Sequence, residues 1–560
     1  MIYLIGEFLD RETQRYDVCI IGSGPSGICV GLELLYSGLT VCTLEGGELE
    51  ANHFFDQLKD VESPGLEIGK DSRVRAFGGT SNTWSGIIAP LDPIDLAPRR
   101  AIARGWPPEA EVATSINTRG HRYNLPHLSL FNATTLHLGA WRNSEHLSEK
   151  VFLVQAPAMN FGRKYRYAYL RNDFDLVLGA VATSLNSQEN GGCRVINSVV
   201  FRSASGRFGK LTSTIYILAT GCIENIRILF NSKDEAGVAL GNIYDQLGRG
   251  FMNHPKGYVG EIWFKHPLSV TDPVFKLQQR YFGGFVGFRL KDSLQEVEGL
   301  LNPCLRLEPL HGLADPTISK GVTFLLNLRA ALRNALRLYF RAAVSSGVAV
   351  LTDARGMIQA LKLPLRIRKA RRATTVKRAR VRCFVDMDAC PENRITLSEL
   401  SDPLGVKIPI VKYDVSERSL KSVATLLDRF SSEVRALGIG EFVPYASPLR
   451  ELISSPASHH LGGTPMGLDA QTSAVDPELR LHGVDNLYLT GGSTFPTGGN
   501  ANPTLTMIGL SIRLADTIRA SLPKPDYSET TLPSSRGQGI IILGAGRRVA
   551  EDVVDRKSVV

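Results

Sequence analysis

Two short segments hold the residue types best suited to chemistry. SHHLGGTPMG, Ser458 to Gly467, sets His459 and His460 side by side ahead of a glycine pair, and later in the chain GGNANPTLT sets Asn502 before a proline. An imidazole, with an ordinary pKa of about 6.5, rests neutral near pH 7 and can take a proton. Adjacent side chains of an extended segment point to opposite sides, so one histidine can face a site while the other packs or hydrogen-bonds behind it. Adjacent histidines cannot readily chelate one ion, and the eleven histidines are otherwise scattered, so no metal site is expected. Asn502 followed by Pro503 reads as an N-cap with proline at the first helical position, opening a helix whose apolar residues Leu505, Ile508, Ile512 and Ala515 recur at helical spacing.

The elements that must position these residues begin at the other end of the chain. Residues 16 to 47, YDVCIIGSGPSGICVGLELLYSGLTVCTLEGG, read as strand, glycine turn, helix and strand. Gly22, Gly24 and Gly27 form GxGxxG in that context, Ser26 lies within the turn, and Glu45 closes the second strand. Gly22 permits the tight turn, Gly24 lets the backbone approach a pyrophosphate and Gly27 lets helix pack on strand. Glu45 is placed to accept from a ribose hydroxyl. Together these predict a dinucleotide site.

Two distant apolar strands return to the same sheet. IYILATG, residues 215 to 221, carries Ala219 and Gly221 at its end, and NLYLTGG, residues 486 to 492, ends on Gly492 ahead of Ser493. Each precedes a helical pattern, 224 to 230 and 503 to 522. Strands drawn from both ends of the chain imply an α/β Rossmann-like domain with an inserted α+β domain. The bounds read as 14–260 for the first part of the nucleotide-binding domain, 261–454 for the insert, 455–522 for its return, and 523–560 for a linker and tail. Within the tail, GIIILGAGRRVAEDVV opens like a second nucleotide fold but stops short of a full unit, and it is assigned no site.

Composition narrows the class. With 43% hydrophobic and 21% charged residues the chain reads as globular. The net charge of +9 is local: residues 362 to 382 hold ten Lys or Arg and no acid, leaving 54 bases against 55 acids elsewhere. That run, with the arginine-spaced segment FLLNLRAALRNALRLYFRAAV at 324 to 344, reads either as a solvated face or as a surface for anionic lipid or an acidic partner. It lacks interleaved aromatics, which argues against nucleic acid. Glu7 and Asp10 interrupt the only apolar run at the N-terminus, and the eight cysteines form no CxxC pair, so a reduced, cytoplasmic setting is expected, with peripheral contact at the inner face of the membrane left open.

Several separated motifs resemble the glucose-methanol-choline (GMC) oxidoreductase family: the fingerprint from Asp17 to Glu45; FGGTSNTWSG at 77 to 86; LATGCIENIRILFNS at 218 to 232; GRGFMNHP at 248 to 255; CPENRITLS at 390 to 398; and the block running from SHHLGGTPMG to the helix after Asn502. The resemblance implies FAD, a flavin domain with a substrate domain, and oxidation of an alcohol to a carbonyl by hydride transfer. It is nearest the sugar and polyol oxidising branch, with pyranose oxidases and the large subunits of fructose or gluconate dehydrogenases. A sterol, choline-like or aryl alcohol as substrate, or a flavin-binding module without activity, remain as alternatives.

Residue by residue, the family's catalytic histidine stands in the register His-x-x-Gly-Thr, which His460, Gly463 and Thr464 fill here. His459 becomes its support. The family position that faces the substrate hydroxyl falls on Asn502. The resemblance puts Gly78, Gly79, Thr80, Ser81 and Asn82 against the isoalloxazine, where small residues permit close approach, and brings Gly492, Ser493, Pro503 and Thr504 to the cofactor. Trp84 either stacks there or fills core. Thr83 stands where pyranose oxidases attach flavin to a histidine, so non-covalent FAD is expected. His254 has no matched catalytic role and reads as structural. Residues 108 to 145 lack the tyrosine-rich helix often found after GWP, implying an altered entrance or a compromised protein. The acceptor of the electrons, oxygen or a quinone or cytochrome, is left open.

Overall fold

The computed structural model describes residues 1–11, 15–96, 105–170, 174–310, 375–455 and 458–522. The arginine-spaced segment 324 to 344, residues 362 to 374 of the basic run and the tail from 523 lie outside them.

The apolar runs around the glycine turn form the strands Arg15–Ile21 and Val41–Glu45, joined by the helix Pro25–Leu34. Beyond Arg15 and Asp17 at the start of the first strand, their residues are buried on both faces, as parallel strands require. The sheet runs in the order Ile2–Leu4, Phe174–Leu178, Val41–Glu45, Arg15–Ile21, Phe208–Leu218, Cys193–Arg202 and Val181–Asn190. Leu487–Leu489 adds in parallel to Phe208–Leu218, so the late strand does return to the early sheet. Phe208–Leu218 bridges two regimes, pairing in parallel with Arg15–Ile21 and antiparallel with Cys193–Arg202. The helices Cys222–Asn231 and Thr504–Ser521 follow their strands as the spacing predicted.

A second, antiparallel sheet runs in the order Gly440–Pro444, Lys256–Ser269, Thr375–Phe384, Cys304–Pro309, Phe282–Leu290, Leu147–Val154 and Ile87–Ile88. Sheet membership cuts across the expected boundary at 261, because two strands come from before it and a third begins at Lys256. The long helix Glu417–Ala436, capped by Ser416 accepting from the Ser419 backbone N–H, lies on one side of this sheet. Phe430 joins the two, 5.5 Å from Phe442 and 5.9 Å from Trp141, ring centre to ring centre.

Residues 108 to 145 form the helix Glu109–Arg119 and a series of single turns. Arg119 reaches Glu33 at 3.0 Å, the Tyr123 hydroxyl donates to Glu33 at 2.7 Å, and the helix lies close over Gly509, where a Cβ would stand 2.9 Å from Val112. The segment is thus packed onto both helices of the first domain, even without a tyrosine-rich helix. No helix among the described residues is long and apolar enough to cross a membrane.

Candidate active site

A single cavity runs from the glycine turn to the paired histidines. Gly22, Gly24, Ser26, Glu45, Gly79, Thr80, Ser81, Trp84, Ala219, Gly221, His459, His460, Gly492, Pro503 and Thr504 line it. Among the sequence-predicted residues, Gly27, Gly78, Asn82, Ser493 and Asn502 are not part of its wall.

Four of these have a nearby task. A Cβ on Gly27 would stand 2.0 Å from the Gly22 carbonyl oxygen, so glycine lets the helix begin against the turn. Asn82 donates from Nδ2 to the Gly79 carbonyl at 2.8 Å and fixes the loop. The Ser493 hydroxyl lies 3.1 Å from Asn225 Nδ2, behind the turn at Gly221. Asn502 meets the cavity through His459.

At the turn, Gly24 has open space where its Cβ would be, as does Gly221. The helices Pro25–Leu34, Cys222–Asn231 and Thr504–Ser521 all begin without a side-chain cap, and residues at each start line the cavity. Three sets of unsatisfied N–H groups and positive dipole ends therefore border one space, a setting that favours anionic groups. Glu45 accepts from the Ser23 N–H at 3.1 Å and the Gly47 N–H at 2.8 Å, so it clamps the turn as well as facing the cavity. The expected capping by Asn502 does not occur. Pro503 occupies the N-cap position, and the Asn502 amide is turned to His459 instead.

The two histidines differ in their surroundings. His459 has both ring nitrogens engaged: Nε2 lies 3.0 Å from Asn502 Nδ2, and Nδ1 lies 2.9 Å from His254 Nδ1. An amide N–H donating to Nε2 leaves the His459 proton on Nδ1, where it donates to His254. His460 turns the other way, its ring centre 6.0 Å from that of Phe251, and its Nε2 is buried without a hydrogen-bond partner. The structure therefore joins Asn502 to His459 and not to His460. Burial, with the charges of Arg73 and His459, pulls His460 down to about 3, and burial with Lys256 pulls His459 down to about 4, so both are neutral at pH 7.

Local backbone explains this divergence. Met252 and Leu461 exchange backbone hydrogen bonds, fixing the rotation of the histidine segment. The glycine pair that follows has positive φ at both residues, and a Cβ on Gly462 would stand 2.1 Å from the Gly250 carbonyl oxygen. Trp84 donates from Nε1 to the Met159 carbonyl at 2.8 Å while lining the cavity. Thr83 is exposed, its hydroxyl 3.4 Å from the Thr80 carbonyl.

Several residues escaped the sequence reading. His254, read as structural, is fully enclosed and bonded to His459. Lys59, Arg73, Arg75 and Glu224 also line the cavity. Glu224 lies 2.7 Å from Arg75, 3.2 Å from Arg73 and 3.6 Å from Arg227. Burial alone would raise its carboxyl, yet the three guanidiniums hold it below the usual carboxylate range. The signal available was DSRVRAFGGTSN, where two arginines precede the small-residue loop.

A nucleotide-type parallel sheet, an antiparallel sheet beside it and a cavity ending on two histidines, one of them held by Asn502, define a dinucleotide-binding α/β fold with a candidate site. Residues 390–511 match the family described as "GMC oxidoreductase". The chain is 41% identical over 131 residues to the fructose dehydrogenase large subunit of Gluconobacter japonicus, covering 23% of each. It is 31% identical over 148 residues to pyranose 2-oxidase of Tricholoma matsutake, covering 25% of this chain and 26% of that one. The matched stretches thus span about a quarter of these relatives. An FAD-dependent oxidoreductase from Chaetomium thermophilum shares the fold, with a TM-score of 0.54 at 15% identity over 90% of this chain and 99% of that one.

Proposed function

We propose that the protein is an FAD-dependent oxidoreductase that oxidises an alcohol, a sugar or related polyol, with His460 as the base. The observation that carries this reading is the cavity leading from the glycine turn and Glu45 to the neutral histidines His459 and His460, the second with a buried ring nitrogen that has no hydrogen-bond partner. The residues present fit FAD. Gly24 and Gly221 leave room for close approach, uncapped helix starts and Arg75 suit a pyrophosphate, and Glu45 retains acceptor capacity toward a ribose. The loop at Gly79 to Ser81, with Gly492, Pro503 and Thr504, would hold the ring end. Bound there, FAD supplies the hydride acceptor.

The chain's own residues handle the proton. As hydride leaves carbon the hydroxyl proton must go to a base, and His460 Nε2 is a buried acceptor with no competing donor. Asn502 spends one amide hydrogen on His459 and has a second to donate to the substrate oxygen, which accords with a role on substrate as well as positioning. His459 and His254 hold that amide in place. The exposed, hydrogen-bonded Thr83 supports non-covalent FAD. The sugar or polyol assignment is supported by relatives named as a fructose dehydrogenase subunit and a pyranose oxidase.

Anaerobic addition of sugars and polyols to the purified protein tests the reading. Bleaching of an oxidised flavin spectrum is expected, and acid precipitation should leave the flavin in the supernatant. A flavin-loaded protein that no alcohol bleaches would contradict the proposed activity.

A further inference from the structure

The antiparallel sheet has two unlike faces. One carries Phe288 and Phe442 toward Phe430 of the long helix. The other carries the described part of the basic run: in Thr375–Phe384, Arg378, Arg380, Arg382 and Phe384 alternate with buried Ala379, Val381 and Cys383. Register sets Lys256 and Cys304 opposite Phe384, and Tyr258 and Arg306 opposite Arg382.

This face meets the site at its base. Lys150, on the adjoining strand Leu147–Val154, holds Asp92 at 2.8 Å, and Asp92 in turn lies 3.3 Å from Asn500 Nδ2, two residues before Asn502. Lys256 follows His254 by two residues, and its backbone N–H donates to the Ser455 carbonyl at 3.3 Å, three residues before Ser458; its charge lowers the basicity of both His459 and His254. From Lys256, next but one to His254, this face of the sheet runs through Tyr258, Arg382 and Arg306.

The charges on this face do not balance. A single carboxylate, Glu308, serves Arg382 at 3.3 Å, Arg306 at 3.7 Å and Arg380 at 3.7 Å, and also accepts from the Tyr258 hydroxyl at 2.7 Å. The Nε atoms of Arg306, Arg380 and Arg382 are buried without hydrogen-bond partners. No carboxylate among the described residues pairs with Lys256, and burial together with Arg382 pulls its ammonium below the ordinary lysine range. Arg380 and Arg306 are stacked 4.0 Å from the Tyr258 ring centre and 3.8 Å from that of Phe285, so the cations are held in place. Fixed, half-buried, underpaired cations beside a base form a ready partner for an anion.

We propose that the alcohol oxidised in this site carries an anionic group, a carboxylate or a phosphate, held by Lys256 with Arg382 while its hydroxyl end lies at the histidines. The inference rests on the alcohol-oxidising reading above and narrows its substrate class. The basic run then serves the substrate wall through its described end.

The test compares glucose with gluconate, glucuronate and glucose 6-phosphate as donors to the holoenzyme, using a dye acceptor. At least one anion should show a KM about tenfold or more below that of glucose, and Lys256→Met should raise that KM about tenfold, with a much smaller change in kcat and in the KM for glucose. Lys256→Arg should restore most of the loss, and Lys256→Gln serves should the methionine variant not fold. Preference for gluconate or glucuronate marks a carboxylate site, and preference for glucose 6-phosphate a phosphate site. Equal or better use of glucose, or an equal effect of the substitution on neutral and anionic donors, overturns the proposal. If no donor is oxidised, perturbation of the flavin spectrum by gluconate, glucuronate or inorganic phosphate decides separately. Perturbation lost in Lys256→Met upholds the anion site and places the failure in the oxidation reading, whereas its absence with all three overturns the anion site too.

Discussion

The glycine-turn region and the antiparallel sheet offer a ligand different kinds of surface. At the glycine turn the wall is mainly backbone: the starts of three helices, two glycines with open space above them, and a carboxylate committed to the turn itself. On the antiparallel sheet the face beside the histidines is made of side chains, with lysine, arginine and aromatic rings on adjacent strands. Backbone walls suit a ligand shared by many proteins, because N–H groups present the same geometry whatever the residue. Side-chain walls can change partner by single substitutions, and this is where selectivity for one alcohol over another can be set.

Disturbing each half should therefore give different failures. The largest effect is expected from Glu224→Gln, which leaves Arg73, Arg75 and Arg227 buried around a neutral amide beside the nucleotide half. A loss of about 3 to 5 kcal/mol in stability, with loss of flavin, should appear in chemical denaturation. The Glu224 carboxyl is held below its ordinary value, so its contribution is present above about pH 4.5 and falls away as pH drops through the lower folded value. Phe430→Ala, acting on the other sheet, should cost about 3 to 5 kcal/mol by opening a cavity among Trp141, Phe288 and Phe442. Unlike the first variant, it should leave a flavin-binding half when refolding succeeds at low temperature.

A smaller effect separates the halves by pH. His459 and His460 are buried and neutral, with folded values of about 4 and 3. Their contribution to stability is full above about pH 6.5 and declines as pH falls, because the unfolded chain takes up protons there first. Melting temperature should drop between about pH 6.5 and 4, and His460→Phe should flatten that slope. The proton-transfer limb of flavin reduction should correspondingly lie below about pH 5, well under the ordinary histidine range. A limb centred near 6.5 would contradict the burial of His460.

The same division explains what could be read from the sequence. Gly22, Gly24, Gly27 and Glu45 lie within one short segment, and their spacing states their geometry directly, so the strand, turn and helix appear where the spacing put them. The side-chain half depends on contacts between remote segments. His254 and His459 are bonded across 205 residues, and which way each histidine turns is fixed by the bridge between Met252 and Leu461. Asn502 looked like a helix cap because its local sequence suits one, yet a stronger partner 43 residues away takes its amide. The strands Ile87–Ile88 and Leu147–Val154 were missed as members of the second sheet because nothing in their own sequence names their neighbours. A run of arginines reads as solvent-facing until the strands beside it supply Tyr258, Phe285 and Glu308.

The central claim is that the neighbouring histidines have unequal jobs, His460 taking the proton and His459 holding Asn502. Anaerobic stopped-flow measurement of flavin reduction in His460→Ala and His459→Ala, each with its flavin bound, tests this directly. Reduction should slow by roughly 10² to 10⁴ in His460→Ala, about 3 to 5 kcal/mol in barrier, and by much less in His459→Ala. Equal losses in the two variants, or a greater loss in His459→Ala, would contradict it.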